Sequence, residues 1–268
     1  MSKAILIDTT RCIGCRACQV ACKSWHGLPG ERTSFSETWS NPRFMDSKNY
    51  TRVIFREVAG PGDRFHWYFI KRQCMHCLDP ACASVCPVGA LVKLKEGPVV
   101  YDDDKCIGCR YCMMACPFQV PKFQWESAVP LVRKCDFCAD RLNAGLPTSC
   151  AATCPTQTLT FGERPALLKE AHRRIGSRPD KYYPQVYGEN TVGGTSVLYL
   201  TAVSFQDLGL EFRGFRTDLG TVPYGLYGRA WMSKVPWLAL AVGGLAVGLH
   251  YVNQRRAAVK APEEQKED

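Results

Sequence analysis

Sixteen cysteines lie between Cys12 and Cys154 in four groups of four, and the last 114 residues contain none. The groups are Cys12, Cys15, Cys18 and Cys22; Cys74, Cys77, Cys82 and Cys86; Cys106, Cys109, Cys112 and Cys116; and Cys135, Cys138, Cys150 and Cys154. Thiols in this density can form disulfides, hold zinc, work as redox dithiols or ligate iron–sulfur clusters. Disulfides do not call for repeated C-x2-C runs, and cysteines this close in sequence pair poorly. Zinc favours two separated C-x2-C pairs over triads with a fourth cysteine three residues on. A thioredoxin-like dithiol explains one C-x2-C, never a series in register. Cluster ligation is the chemistry that fits all four groups.

Group three, C-x2-C-x2-C-x3-C followed by Pro117, has the ligand spacing of bacterial ferredoxins; group one has it without the proline. In such a run three thiolates hold one cubane and the fourth reaches a neighbouring one. Gly14 and Gly108 allow the tight loop between the first two cysteines. Pro87, Pro117 and Pro155 each follow the last cysteine of a group and stop a short helix.

The groups form an internal repeat, which organises the chain. Groups two and three, 19 residues apart, can make one two-cluster module. Groups one and four then make a second module into which the first is inserted. This predicts an α+β fold of two nested bacterial-ferredoxin-like two-cluster modules plus one C-terminal transmembrane helix. Its expected segments are an outer module at 1–28 and 130–175, an inserted segment with a β-hairpin at 29–72 and an inner module at 73–129. An extended arm at 176–234, a membrane helix at 235–252 and a charged tail at 253–268 complete it.

The elements that must position the cysteines are short. Ala4–Ile7 reads as a strand, able to pair with Thr158–Phe161 and so close the outer module. Thr51–Val58 and Phe65–Ile70 form a hairpin across Gly60-Pro61-Gly62-Asp63, and Ala90–Lys93 with Val99–Tyr101 form another. Glu163–Ile175 is helical in composition, Ser196–Val203 reads as a strand, and Phe205–Arg229 as irregular surface chain.

At 46% hydrophobic and 22% charged, the 268-residue chain is neither disordered nor fibrous. A net charge of +9 invites a nucleic-acid reading. Oxidised cubanes with four thiolates carry roughly −2 each, about −8 for four, and bring the whole near neutrality. Arg11, Arg16, Lys23, Arg72, Lys105, Arg110, Arg133 and Lys134, beside the cysteines, are the expected compensation, so no nucleic acid is expected as a partner.

Met1–Asp8 leads straight to Cys12 and does not read as a secretory signal. Val235–Val252 is an 18-residue uncharged run, long enough to cross a bilayer, with Trp231, Trp237, Tyr251, Arg255 and Arg256 as interfacial anchors. Gly243, Gly244 and Gly248 offer a smooth face to another helix. Arg255, Arg256, Lys260 and Lys266 after it, against Arg216, Arg229 and Lys234 before it, favour a cytoplasmic C-terminus.

C-M-H-C-L-D-P-A-C (Cys74–Cys82), C-P-F-Q-V-P-K (Cys116–Lys122) and C-D-F-C-A-D-R (Cys135–Arg141) resemble the four-cluster electron-transfer subunits of membrane-bound molybdenum and tungsten enzymes and related hydrogenases. Tyr183-Pro184, Tyr187-Gly188-Glu189, Gly193-Gly194-Thr195 and the single helix bearing His250 resemble the iron–sulfur (beta) subunit of membrane formate dehydrogenase. They also resemble the membrane-anchored iron–sulfur partner of nickel–iron hydrogenases, which usually opens with a twin-arginine signal that this sequence lacks; formate dehydrogenase is therefore the expected relative. The resemblance implies that Cys12, Cys15, Cys18 and Cys154 hold one cluster, and Cys22, Cys135, Cys138 and Cys150 a second. It gives Cys74, Cys77, Cys82 and Cys116 a third, and Cys86, Cys106, Cys109 and Cys112 a fourth. With every cysteine present, four [4Fe–4S] clusters are expected.

The function implied is a relay, without an active site of its own, between a large molybdenum/tungsten catalytic subunit and an integral membrane haem b/quinone subunit. The alternatives are a nickel–iron hydrogenase or another respiratory reductase as the host complex. The lipid bilayer is a further expected partner, with the cluster domain on the periplasmic side. His76 can donate to a cluster sulfur or serve packing, and His250 can face a membrane partner or snorkel. His26, His66 and His172 show no constellation in the sequence.

Overall fold

A computed structural model describes residues 2–59, 65–210 and 234–260. Its central sheet has the strand order β8-β1-β9. Strand β1 (Lys3–Asp8) pairs antiparallel with β8 (Leu159–Glu163), from Lys3 opposite Glu163 to Ile7 opposite Leu159. The pairing expected between the two ends of the cysteine region is therefore present. On its other edge β1 runs parallel to β9 (Val197–Leu200), with Ile5 opposite Val197 and Asp8 opposite Leu200.

β1 is buried on both faces, which is why it is a continuous apolar run. Ala4 and Leu6 pack with Leu167, Ala171, Leu198 and Leu200 under helix α6 (Arg164–Ser177), whose Pro165 suits the first turn. Ile5 and Ile7 face the opposite way, into a core that contains Cys18, Cys74, Cys135 and Cys150. Each such aliphatic side chain contributes about 1.5–3 kcal/mol by leaving water. The strand ends at buried Asp8, which accepts from Thr10, from Arg174 Nη1 at 3.0 Å and from the Tyr182 hydroxyl at 2.9 Å.

The hairpin β2 (Arg52–Ala59) and β3 (Phe65–Arg72) is buried at its base, around Val53, Ile54, Ile70 and Lys71, and exposed towards its tip. The expected turn at Gly60-Pro61-Gly62-Asp63 lies outside the described residues. β4 (Leu91–Lys93) pairs with β5 (Val99–Tyr101). β6 (Lys122–Phe123) pairs with β7 (Val132–Arg133), a short ladder that the sequence did not signal.

The cysteine runs carry short helices: α1 (Ala17–Trp25), α2 (Ala81–Ser84), α3 (Tyr111–Ala115), α4 (Ala139–Asn143) and α5 (Ser149–Ala152). α5 docks on α1, where Ser149 Oγ donates to the Ala21 carbonyl at 3.1 Å.

Two expectations are corrected. Residues 182–210, expected in an extended arm, belong to the core: Tyr182, Tyr187, Tyr199 and Leu208 are buried, and Tyr187 donates its hydroxyl to the Leu210 carbonyl. The strand read at Ser196–Val203 is thus β9, covered on both faces, and not part of an extended arm. The last helix, α7 (Val235–Lys260), runs past Val252 into the expected tail, because Asn253–Lys260 contains no helix breaker. Residues 211–233 and 261–268, which hold Trp231 and the rest of the expected arm and tail, lie outside the described residues.

Candidate iron–sulfur cluster sites

The first C-x2-C loop of each of the four groups shares one backbone device. The third residue of each is left-handed: Gly14 (φ 68°), His76 (φ 48°), Gly108 (φ 69°) and Phe137 (φ 67°). This conformation curls the loop so that both its thiols can converge. Glycine adopts it freely, whereas His76 and Phe137 hold it against the usual penalty for a side chain. Their rings meet at 4.7 Å between centroids, and both are wholly buried. At Gly14 a side chain is excluded for a second reason, since a Cβ would lie 2.9 Å from the Phe69 ring.

The loops are followed by helices that place the remaining thiols. In α1, Cys18 and Cys22 are one turn apart and both buried. Thiols distant in sequence are thereby brought together. Cys12 is raised above the ordinary thiol value, first by burial and then by Cys154 and Cys15, against a backbone N–H near Gly14. Cys18 is pushed up to about 12 by burial and by Cys150, Cys12 and Cys15, against the pull of Lys71. Cys77 rises by burial beside Cys116, Cys74 and Cys82. Cys112 reaches about 12 by burial beside Cys82, Cys109, Cys86 and Cys106. Cys22, Cys135, Cys138 and Cys150 line one cavity.

These sets test whether [4Fe–4S] clusters fit. Buried thiols that raise one another's pKa call for a multivalent cation, whose binding would release their protons. Backbone N–H groups already point at sulfur: Ala90 N to Cys86 at 3.2 Å, Gly108 N to Cys106 at 3.4 Å and Val120 N to Cys116 at 3.5 Å. At Cys154 the effect of burial is outweighed by backbone N–H groups of Leu159, Thr158 and Thr156 and by the Thr156 hydroxyl, and its pKa falls. Two buried nitrogens, His76 Nε2 and Gln73 Nε2, lack a partner among the described residues, as donors awaiting sulfur would. The residues fit the clusters.

The basic residues sort differently from the expectation. Arg11, Lys105 and Arg110 are exposed, and Arg16, Lys23, Arg72 and Arg133 half-buried; of the eight only Lys134 is buried. Its ammonium donates to the carbonyls of Val99 and Cys135. Two cations absent from that list lie deeper among the thiols than most of its members. Lys93 donates to the His76 and Gly97 carbonyls, and burial lowers its pKa to about 8 despite Cys77 and Cys74. Burial works against the Lys71 ammonium too, but Cys150, Cys18, Cys135 and Cys22 outweigh it and hold its pKa up. Lys71 was missed because, next to Arg72, it reads as the solvated end of a strand.

The histidines also divide. His76 Nδ1 accepts the Val99 N–H at 2.9 Å, which leaves Nε2 to carry the proton. His26, given no role by the sequence, contacts the second cysteine set: Nδ1 lies 3.8 Å from Cys22 Sγ and Nε2 2.8 Å from Asp136. Asp136 also accepts the Cys138 N–H at 2.8 Å, so His26 braces the C-D-F-C loop. His26, Asp136 and Cys138 sit close enough to suggest a mononuclear metal site, yet their short contacts are hydrogen bonds within the loop. His66 is exposed on β3, and His172 pairs with Glu189 at the surface. His250, in α7, meets Gln254 one turn on at 3.1 Å.

Comparison with known proteins agrees with this chemistry. A family model described as a 4Fe-4S dicluster domain matches residues 65–164, and a second of the same description matches 11–90. A protein of Nitratidesulfovibrio vulgaris is 40% identical over 266 residues, 98% of this chain and 70% of its own length. Hydrogenase-2 operon protein HybA of Escherichia coli O157:H7 is 38% identical over 241 residues, 78% of this chain and 73% of that protein. The iron–sulfur subunit of nitrate-inducible formate dehydrogenase from Escherichia coli K12 is also 38% identical, over 200 residues, 74% of this chain and 67% of that subunit.

Proposed function

Because the chain belongs to the 4Fe-4S dicluster family that includes formate dehydrogenase iron–sulfur subunits and HybA, we propose that it is the electron relay of a membrane-bound formate dehydrogenase. It is an iron–sulfur electron-transfer protein with four [4Fe–4S] clusters. In this reading Cys12, Cys15, Cys18 and Cys154 hold one cluster, and Cys22, Cys135, Cys138 and Cys150 a second. Cys74, Cys77, Cys82 and Cys116 hold a third, and Cys86, Cys106, Cys109 and Cys112 the fourth. The two modules are nested, with the strand pair β1–β8 closing the outer one around the inner. The single observation that carries the relay is the gathering of buried thiols from separate runs, of which the cavity of Cys22, Cys135, Cys138 and Cys150 is the clearest case.

Held in these sets, the clusters would supply one-electron transfer. The chain's own work is to exclude water, with Phe137, Met75 and Tyr187 in the core around the thiols, and to aim N–H groups at sulfur. It contributes no acid, base or nucleophile to turnover; these belong to a separate molybdenum or tungsten subunit. Electrons leave to a haem b/quinone subunit in the membrane. α7 is long and apolar enough to cross a bilayer, with mean hydropathy 1.6 over its best window, and in this reading it anchors the relay there. The cluster domain lies on the periplasmic side, in line with the slight excess of Lys and Arg after the helix.

The test is metal analysis of the detergent-extracted complex that copurifies with the chain from its native membrane. Molybdenum or tungsten together with formate oxidation supports this reading. Nickel would replace it with the relay of a hydrogenase, a second reading favoured by the equal identity to HybA.

A further inference from the structure

The cavity bounded by Cys22, Cys135, Cys138 and Cys150 has a wall that does not come from the cysteine loops. It is made by Thr51, Lys71 and Gln73, from the base of the β2–β3 hairpin. Lys71 and Gln73 are two residues apart in extended chain, so both side chains leave the same face. They are 2% and 3% exposed.

Their hydrogen bonding is incomplete. The Lys71 ammonium donates to Gln73 Oε1, its one hydrogen bond among the described residues, which leaves two of its three protons unspent. Gln73 Nε2 carries two more protons and has no partner among the described residues. Lys71 also makes no ion pair with a carboxylate among them. A buried cation and a buried amide without acceptors are costly unless the cavity supplies acceptors, and its remaining lining offers mainly thiols.

We propose that Lys71 and Gln73 form a donor clamp on the sulfurs of the cluster held by Cys22, Cys135, Cys138 and Cys150, and raise its reduction potential. This rests on the cluster assignment above. The step is the gain of one electron from a neighbouring cluster. The fixed positive charge favours the more negative, reduced state, and N–H groups on sulfur act in the same direction.

The experiment is an EPR-monitored redox titration of the purified complex, with iron counted per chain, for wild type, Lys71→Met, Lys71→Arg and Gln73→Leu. With iron retained, Lys71→Met lowers the reduction equilibrium constant of one step at least tenfold, or 59 mV for a one-electron couple. The other three steps move less. Gln73→Leu moves the same step by a smaller amount, and Lys71→Arg leaves it nearer to wild type. Four unmoved steps, or four equal shifts, in the iron-replete variants overturn the clamp alone. If Lys71→Met loses iron, Gln73→Leu and Lys71→Arg decide by the same criterion. A wild-type chain without about 16 irons overturns the clamp together with the assignment beneath it.

Discussion

Two pairs of cysteine loops solve the same geometric problem differently. Cys12–Cys15 and Cys106–Cys109 both read C-I-G-C and lie towards the surface, with Ile13 59% and Ile107 65% exposed. Cys74–Cys77 and Cys135–Cys138 place His76 and Phe137 at the position of the glycine, in the interior. The left-handed turn is common to all four, so it is a requirement of the loop rather than of glycine. At the surface no packing would offset the strain of a side chain, and glycine removes the strain. In the interior the two tilted rings fill space between thiol sets, and the packing outweighs the strain.

This contrast can be broken by exchange. Phe137→Ala keeps the strain and loses the packing, and costs about 3–5 kcal/mol, read as cluster loss at lower denaturant. His76→Leu leaves the buried Val99 N–H without its acceptor and costs about 1–3 kcal/mol. Gly14→Ala combines a left-handed penalty with overlap on Phe69 and costs about 2–4 kcal/mol. Gly108→Ala meets nothing closer than 3.8 Å and costs only the backbone penalty, about 1–2 kcal/mol. Equal losses at Gly14 and Gly108 would show that the Phe69 contact yields freely.

The smallest effect is expected on α6, remote from the loops. Arg173 and Arg174 hold the Glu170 carboxyl down to about 2. A depressed carboxylate contributes stability that is present above its unfolded value, about 4.3, and is lost as pH falls towards about 2. Solvent screens so exposed a cluster, so Glu170→Gln lowers the melting temperature at pH 7 by about 1 °C. The difference from wild type vanishes in strong acid.

What the sequence made legible follows the same division. Cysteine spacing, β1 with β8 and the apolar terminal helix are local patterns or simple pairings, and they could be read directly. The His76–Phe137 ring contact, the His26–Asp136 brace and the Lys71–Gln73 wall each join segments through the tertiary fold, or turn a polar residue inward where solvent was the natural expectation. β9 was legible as a strand but not as a core strand, because nothing in its own residues names β1 as its parallel neighbour.

In the proposed assignment sixteen thiols hold four cubanes. Quantifying iron and acid-labile sulfide in the purified complex, with Mössbauer spectra of the iron, tests it most directly. About 16 irons and as many sulfides attributable to this chain are expected, all in [4Fe–4S] form. Zinc in place of iron, or thiols paired as disulfides, would contradict it.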